Sequence, residues 1–339
     1  MILEVKNFEY KINHRISCFV SSLINALKNR NVTIDATEAM LYARAVTFTT
    51  YIDLEETGKP TLIIMPCKLD FFENFAWYTN ISISFYTGQK PEEDIRIISD
   101  AVSRNICLTA VTDQIEMLYA YSDQYKKLFT PDQRIPHHYI TIHGVNTKTG
   151  ALLCAEPNFT IKDYDYWHSY DVMEKARSCK LYSRSINRDL YVIEDVSSYA
   201  PPTMLDAFKK QLELLVDQIN DAIRMIEDFL KTHIVGHADD TELIASNFNA
   251  MAMFLTMVDQ TGYLYRDYLY KAAKQVIAHE GIVLEYQNLY QQWKRVVNDI
   301  TEKKDNGVVT YEEYLVLYKS IIETAKSECD LHKKTLGVL

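Results

Sequence analysis

The chain has 339 residues, and its six cysteines never come close to one another in sequence. Positions 18, 67, 107, 154, 179 and 329 form no CxxC pair and share no interval, so their spacing points to neither a zinc site nor a disulfide framework. Reduced thiols are expected, each by default a small buried hydrophobe. Clustered positive charge is also missing. With 46 acidic against 36 basic side chains and a net charge of -10, the chain lacks the Lys and Arg groups that neutralise phosphates. No uncharged apolar run reaches the roughly 18 residues of a membrane span. The opening MILEVKNFEYKINHR carries charges where a signal peptide needs an apolar core. GxGxxG, P-loop and HExxH patterns are absent, which leaves nucleotide and zinc-protease readings without a starting point. These absences predict a soluble cytoplasmic protein with no nucleic-acid or membrane partner and no bound metal or cofactor.

What is present is ordinary globular material, 47% hydrophobic and 24% charged, enough for one large domain or two of common size. The first two hundred residues alternate between helical and extended patterns. SCFVSSLINALKN places Phe19, Val20, Leu23, Ile24 and Leu27 on one helical stripe, TEAMLYARA reads as a second short helix, and PEEDIRIISDAVSRN opens with proline and acids as a helix N-terminus prefers. KPTLIIMP, ISISFYTG, NICLTAVT, HHYITIHGV, GALLCAEP and DLYVIED read as strands, and VNTKTG as a hairpin connection. After the two prolines of SSYAPPTM the pattern is helical to the end, with Leu205, Phe208, Leu212, Leu215, Ile219, Ile226 and Phe229 at helical intervals. The expectation is an α+β catalytic domain over 1–200 and an all-helical domain over 201–339, the latter able to mediate a homodimer.

Cys18 stands where a polar approach becomes an apolar helix. Ser17 is a plausible N-cap, and unpaired N–H groups with the helix dipole favour an anion there, the thiolate being the reactive form. Cys18, Ser21, Ser22, Asn25 and Asn29 form a polar face opposite the apolar stripe, which predicts a cysteine pointing away from the core into a cleft. Cys154, beside Glu156, is the competing thiol. A nucleophilic thiol needs a base, and HHYITIHGV supplies three histidines on one strand. Strand alternation puts His137 and His143 on one face and His138 on the other with Ile140 and Ile142. That parity argues against a three-histidine metal site and leaves His138, at the strand's start, as the candidate base.

Cysteine at a helix start, histidine at a strand start and an acid ending the hairpin partner occur here in the chain order of the papain-like superfamily. More closely, CFVSSLINAL, TEAMLYARA and HHYITIHGVNTKTGALLCAEP resemble the butirosin-type acyltransferase family of cysteine-peptidase-like proteins, over roughly residues 10 to 180 and including the SYDVMEKAR helix. The resemblance implies a papain-like N-terminal fold with Cys18 as acyl carrier and His138 as base. The third member is usually an Asp before Pro; here Glu156 occupies that place, with Asp163 and Asp165 as alternatives. An oxyanion hole would use the Cys18 N–H and an upstream amide. Papain-like enzymes have Gln there, and Asn13 is the nearest amide in this chain. The implied reaction moves an acyl group from a phosphopantetheine thioester on an acyl or peptidyl carrier protein to Cys18 and then to a small amine, as in thiotemplated antibiotic biosynthesis. A peptidase or thioesterase with water as acceptor, and a non-catalytic binding protein, are the rival readings. Arg15, Lys28, Arg30 and Arg44 are candidates for a basic patch facing an acidic carrier protein. The 24 Tyr and 13 Phe build core by default and would also suit a channel for an aromatic acyl chain.

Two weaker patterns have plain explanations. EKKDNGVVTYEE aligns loosely with a calcium loop, but Lys304 stands where a ligand oxygen is required, so a glycine-containing turn between helices is expected. HADDTE contains His237, Asp239 and Asp240, whose simplest use is to cap the next helix.

Overall fold

A computed structural model describes residues 1–9, 17–54, 59–67, 70–113, 116–117, 138–155, 165–178, 180–181, 184–185, 187–307 and 309–339. The fold is mixed α and β, with an antiparallel sheet and a helical C-terminal region. Two compact units divide the chain, one made of residues 1–39 and 72–201 and the other of 40–71 and 202–339. The second unit therefore takes a segment that the composition shift assigned to the first.

In the first unit, seven strands form one antiparallel sheet: β1 (Ile2–Glu4), β4 (Ser82–Tyr86), β5 (Leu108–Thr112), β6 (His138–Asn146), β7 (Leu152–Ala155), β8 (Asp165–His168) and β11 (Leu190–Asp195). Their order is β4-β11-β5-β6-β7-β8, with β1 on β6, while β9 (Lys180–Leu181) and β10 (Arg184–Ser185) pair with each other. All but the last residue of β6 are buried, as a strand covered on both faces must be. Cross-strand partners share a face, so Leu108, Ala110, Ile140, Ile142, Leu190 and Val192 form one apolar side. Tyr139, Thr141, Thr109 and Tyr191 point to the other. The VNTKTG hairpin forms as expected, with Val145 opposite Leu152. Gly150 turns it at φ +70°, where an added Cβ would also meet Tyr170 at 2.8 Å.

Helices α1 (Cys18–Asn29), α4 (Pro91–Ser103) and α5 (Tyr170–Arg177) accompany this sheet; α2 (Ala36–Tyr42) and α3 (Phe71–Thr79) lie between α1 and α4 in the chain. Arg177 donates two hydrogen bonds to Asp94, at 2.7 and 2.8 Å, and ties α5 to α4 through a buried, bidentate ion pair.

The second unit holds the hairpin of β2 (Val46–Asp53) and β3 (Thr61–Cys67) and the helices α6 (Met204–Phe229), α7 (Thr241–Val276), α8 (Glu280–Asn306) and α9 (Tyr311–Leu336). A π-helical turn, Leu230–Ile234, follows α6. Buried amides on the helices hold the hairpin. Gln211 Nε2 donates to the Val46 carbonyl at 2.6 Å; Asn247 accepts from Leu62 N at 2.9 Å and donates to the Pro60 carbonyl at 3.0 Å. The unit's core also contains an ionic hub. Glu328 accepts from Arg266 Nε at 3.0 Å and from Trp293 Nε1 at 2.7 Å, while Arg266 reaches the Thr47 carbonyl at 3.1 Å. Asp240 caps α7 and pairs with Lys59, and Gly307 ends α8 in the left-handed conformation before the Thr310–Glu313 capping box of α9. HADDTE and EKKDNGVVTYEE are thus helix punctuation.

Candidate active site

Cys18 is the first residue of α1. Ser17 has the extended backbone of an N-cap, φ -61° and ψ 153°, and its carbonyl accepts from Ser21 N at 2.9 Å. Its hydroxyl, contrary to expectation, makes no capping hydrogen bond. The first turn also contains no acid. The N–H groups of residues 18–20 precede the helix ladder, the position at which helix starts accept anions.

Exposure separates the four thiols among the described side chains. Cys18 is half-buried, whereas Cys107, Cys154 and Cys329 are buried. Burial pushes the Cys107 thiol up to about 12, and Cys154 sits in β7 opposite Ile142 at 0% exposure. The competing thiol beside Glu156 is therefore a core residue. The polar face of α1 also differs from expectation: Ser21, Ser22 and Asn25 are buried, with Asn25 Nδ2 donating to the Ser21 carbonyl at 2.8 Å. Cys18 is half-buried at the start of the helix, as are Ile24, Lys28 and Asn29 farther along it.

Two contacts orient α1 over the sheet. At its start, Phe19 meets Tyr139 edge to face with ring centroids 6.0 Å apart. At its finish, Asn29 Oδ1 accepts from Cys107 N at 3.1 Å, just before the pairing of Leu108 with Ile142. The helix thus runs parallel to β6 with the two beginnings together. His138, first residue of β6 and 4% exposed, follows from the same alignment as the histidine at the Cys18 end. Its carbonyl accepts from Thr112 Oγ1 at 3.1 Å. Strand alternation turns its side chain to the face opposite Tyr139, so the shared end, and not a shared face, relates it to Cys18. His143 stacks on Phe8 with centroids 4.2 Å apart. It lies level with the far end of α1, about 16 Å along the helix from Cys18, and takes no part at this end.

Glu156, Asn13, Asp163, His137 and Arg15 lie outside the described residues. β7 ends at Ala155 opposite Thr141, one residue before Glu156. Asp165 opens β8 as the partner of Ala155. Sequence reasoning overlooked Asp113, which is fully buried and follows Thr112, the cross-strand partner of His138. An acid directly after the NICLTAVT run was the available signal. Of the proposed basic patch, Lys28 Nζ pairs with Glu9 at 3.0 Å and Arg30 donates to the Glu194 carbonyl at 3.1 Å. Both cations serve contacts within the first unit.

Among the described residues, no three His, Cys, Asp or Glu side chains gather as metal ligands, and no helix is long and apolar enough to cross a membrane. An open groove of about 420 Å³ on the second unit is lined by Ile52, Arg224, Met225, Asp228, Phe229 and His233, none of them a predicted site residue. The chain matches no family model and no curated protein sequence.

Proposed function

We propose that the chain is a cysteine-dependent acyltransferase of papain-like architecture that forms amides through an acyl-Cys18 intermediate. One observation supports this above the others: the half-buried thiol stands at the first residue of a helix that begins level with the strand opened by His138.

In this reading Cys18 Sγ attacks the carbonyl carbon of a thioester donor. The oxyanion forms against N–H groups of the first turn of α1. Collapse of the tetrahedral intermediate expels the donor's thiolate and leaves the acyl group on Cys18. An amine then attacks the new thioester; His138 accepts the ammonium proton, the Cys18 thiolate departs, and the amide is released. Thioester exchange is nearly isoenergetic and aminolysis is downhill, so the protein's task is alignment and the exclusion of water. Glu156, or in its stead Asp163 or Asp165, would orient the imidazole. The donor implied by the resemblance is a carrier-protein phosphopantetheine thioester.

Incubation with an acyl N-acetylcysteamine thioester tests the reading by intact mass. The expected result is one acyl adduct, absent from Cys18→Ala and discharged by an added amine as the amide. An adduct that persists in Cys18→Ala rejects the assignment. Discharge by water alone at an undiminished rate replaces transfer with hydrolysis.

A further inference from the structure

Thr109 and Thr141 are direct cross-strand partners in β5 and β6, exposed by 1% and 0%, and neither Oγ1 has a hydrogen-bond partner. Strand alternation places both on the Tyr139 face, the face that α1 covers. On α1, Phe19, Ser22, Ala26 and Asn29 recur at helical spacing and form one stripe. Its two ends touch the sheet, Phe19 at Tyr139 and Asn29 at Cys107. Ser22 lies between them, fully buried, and its Oγ is likewise without a partner. It stands about 4.5 Å along the helix from Phe19, and Thr141 stands about 6.6 Å along the strand from Tyr139 in the same direction. The three sealed hydroxyls thus lie at about the same level between helix and sheet.

Valine fills the space of threonine without a group that must be satisfied, and a buried hydroxyl left unbonded is destabilising. Each hydroxyl offers one donor and two acceptor positions and no charge. A neutral guest that donates and accepts in several directions satisfies all three, and two to four polar partners are what an internal water requires. We infer that a water-binding site lies between α1 and the sheet, with Thr109, Thr141 and Ser22 holding one water or a bonded pair. This follows from packing and does not depend on Cys18 being reactive.

A high-resolution crystal structure of the full chain should show a density peak about 2.6–3.2 Å from at least two of these oxygens. Hydroxyls bonded directly to one another or to the main chain, with no density between them, would overturn the inference. Urea unfolding gives an independent reading. With water bound, Thr109→Val and Thr141→Val each lower the midpoint, because each leaves the other hydroxyl and the guest short of a partner, and the double variant loses less than the sum. If the layer is dry, each valine removes an unsatisfied group, and both singles leave the midpoint unchanged or raise it, which refutes the site.

Discussion

Phe19 and Tyr139 meet edge to face at 6.0 Å, each the second residue of its element, and behind them stand Cys18 and His138. This aromatic contact joins a helix start and a strand start that are 120 positions apart in sequence.

Accessibility should decide which thiol reacts. Brief treatment of the native chain with iodoacetamide, followed by peptide mapping, is expected to modify Cys18 and spare Cys107, Cys154 and Cys329 until the chain is unfolded. Burial raises the Cys107 thiol to about 12, so its thiolate fraction at neutral pH is negligible. Equal labelling of Cys107 and Cys18 would contradict the placement of α1.

The two described histidines of β6 should differ in kind. His138→Ala is expected to lower acyl transfer by about 10²–10⁴-fold, the range for loss of a general base. His143→Ala, which removes the stack on Phe8 at the other end of α1, should lower stability and leave turnover per folded molecule nearly unchanged. The comparison requires single-turnover rates normalised to folded protein.

Glu328 should make the second unit acid-sensitive. Its burial opposes ionisation, but Arg266 and His332 outweigh it and hold the carboxyl at about 2, below its ordinary 4.5. A depressed carboxylate stabilises the fold fully above its unfolded value and loses that contribution as pH falls from about 4.5 toward 2. Urea midpoints should therefore decline across that window. Glu328→Gln, which leaves Arg266 buried without its counter-charge, should cost on the order of 3–5 kcal/mol at neutral pH and flatten the decline.

The hairpin's place in the second unit rests on side-chain amides. Asn247→Ala strands the Leu62 N–H and the Pro60 carbonyl and should cost about 1–3 kcal/mol. Amide exchange of Leu62 should quicken in step, and an unchanged rate there would count against the packing of β3 on α7.

Much of the secondary structure was legible because it depends on local pattern. The runs NICLTAVT and DLYVIED contain the strands β5 and β11, HHYITIHGV from its second residue onward supplies β6, and the apolar stripe of SCFVSSLINALKN is that of α1. VTFTTYID and its pairing with β3 went unread, as did the attachment of that hairpin to the C-terminal helices through Gln211 and Asn247. Nothing local in β2 or β3 announces which distant amide will satisfy it.

The residues by themselves determined that a cysteine would begin a helix and a histidine would begin a strand, because hydrophobic period and strand alternation act within a few positions of the chain. Tertiary structure alone decided that the serine and asparagine face of α1 would be enclosed, that Cys154 would be core, and that His138 rather than His143 would lie at the Cys18 end. Those outcomes depend on which surfaces meet across the sheet, and long-range packing of that kind leaves no periodic trace in either partner.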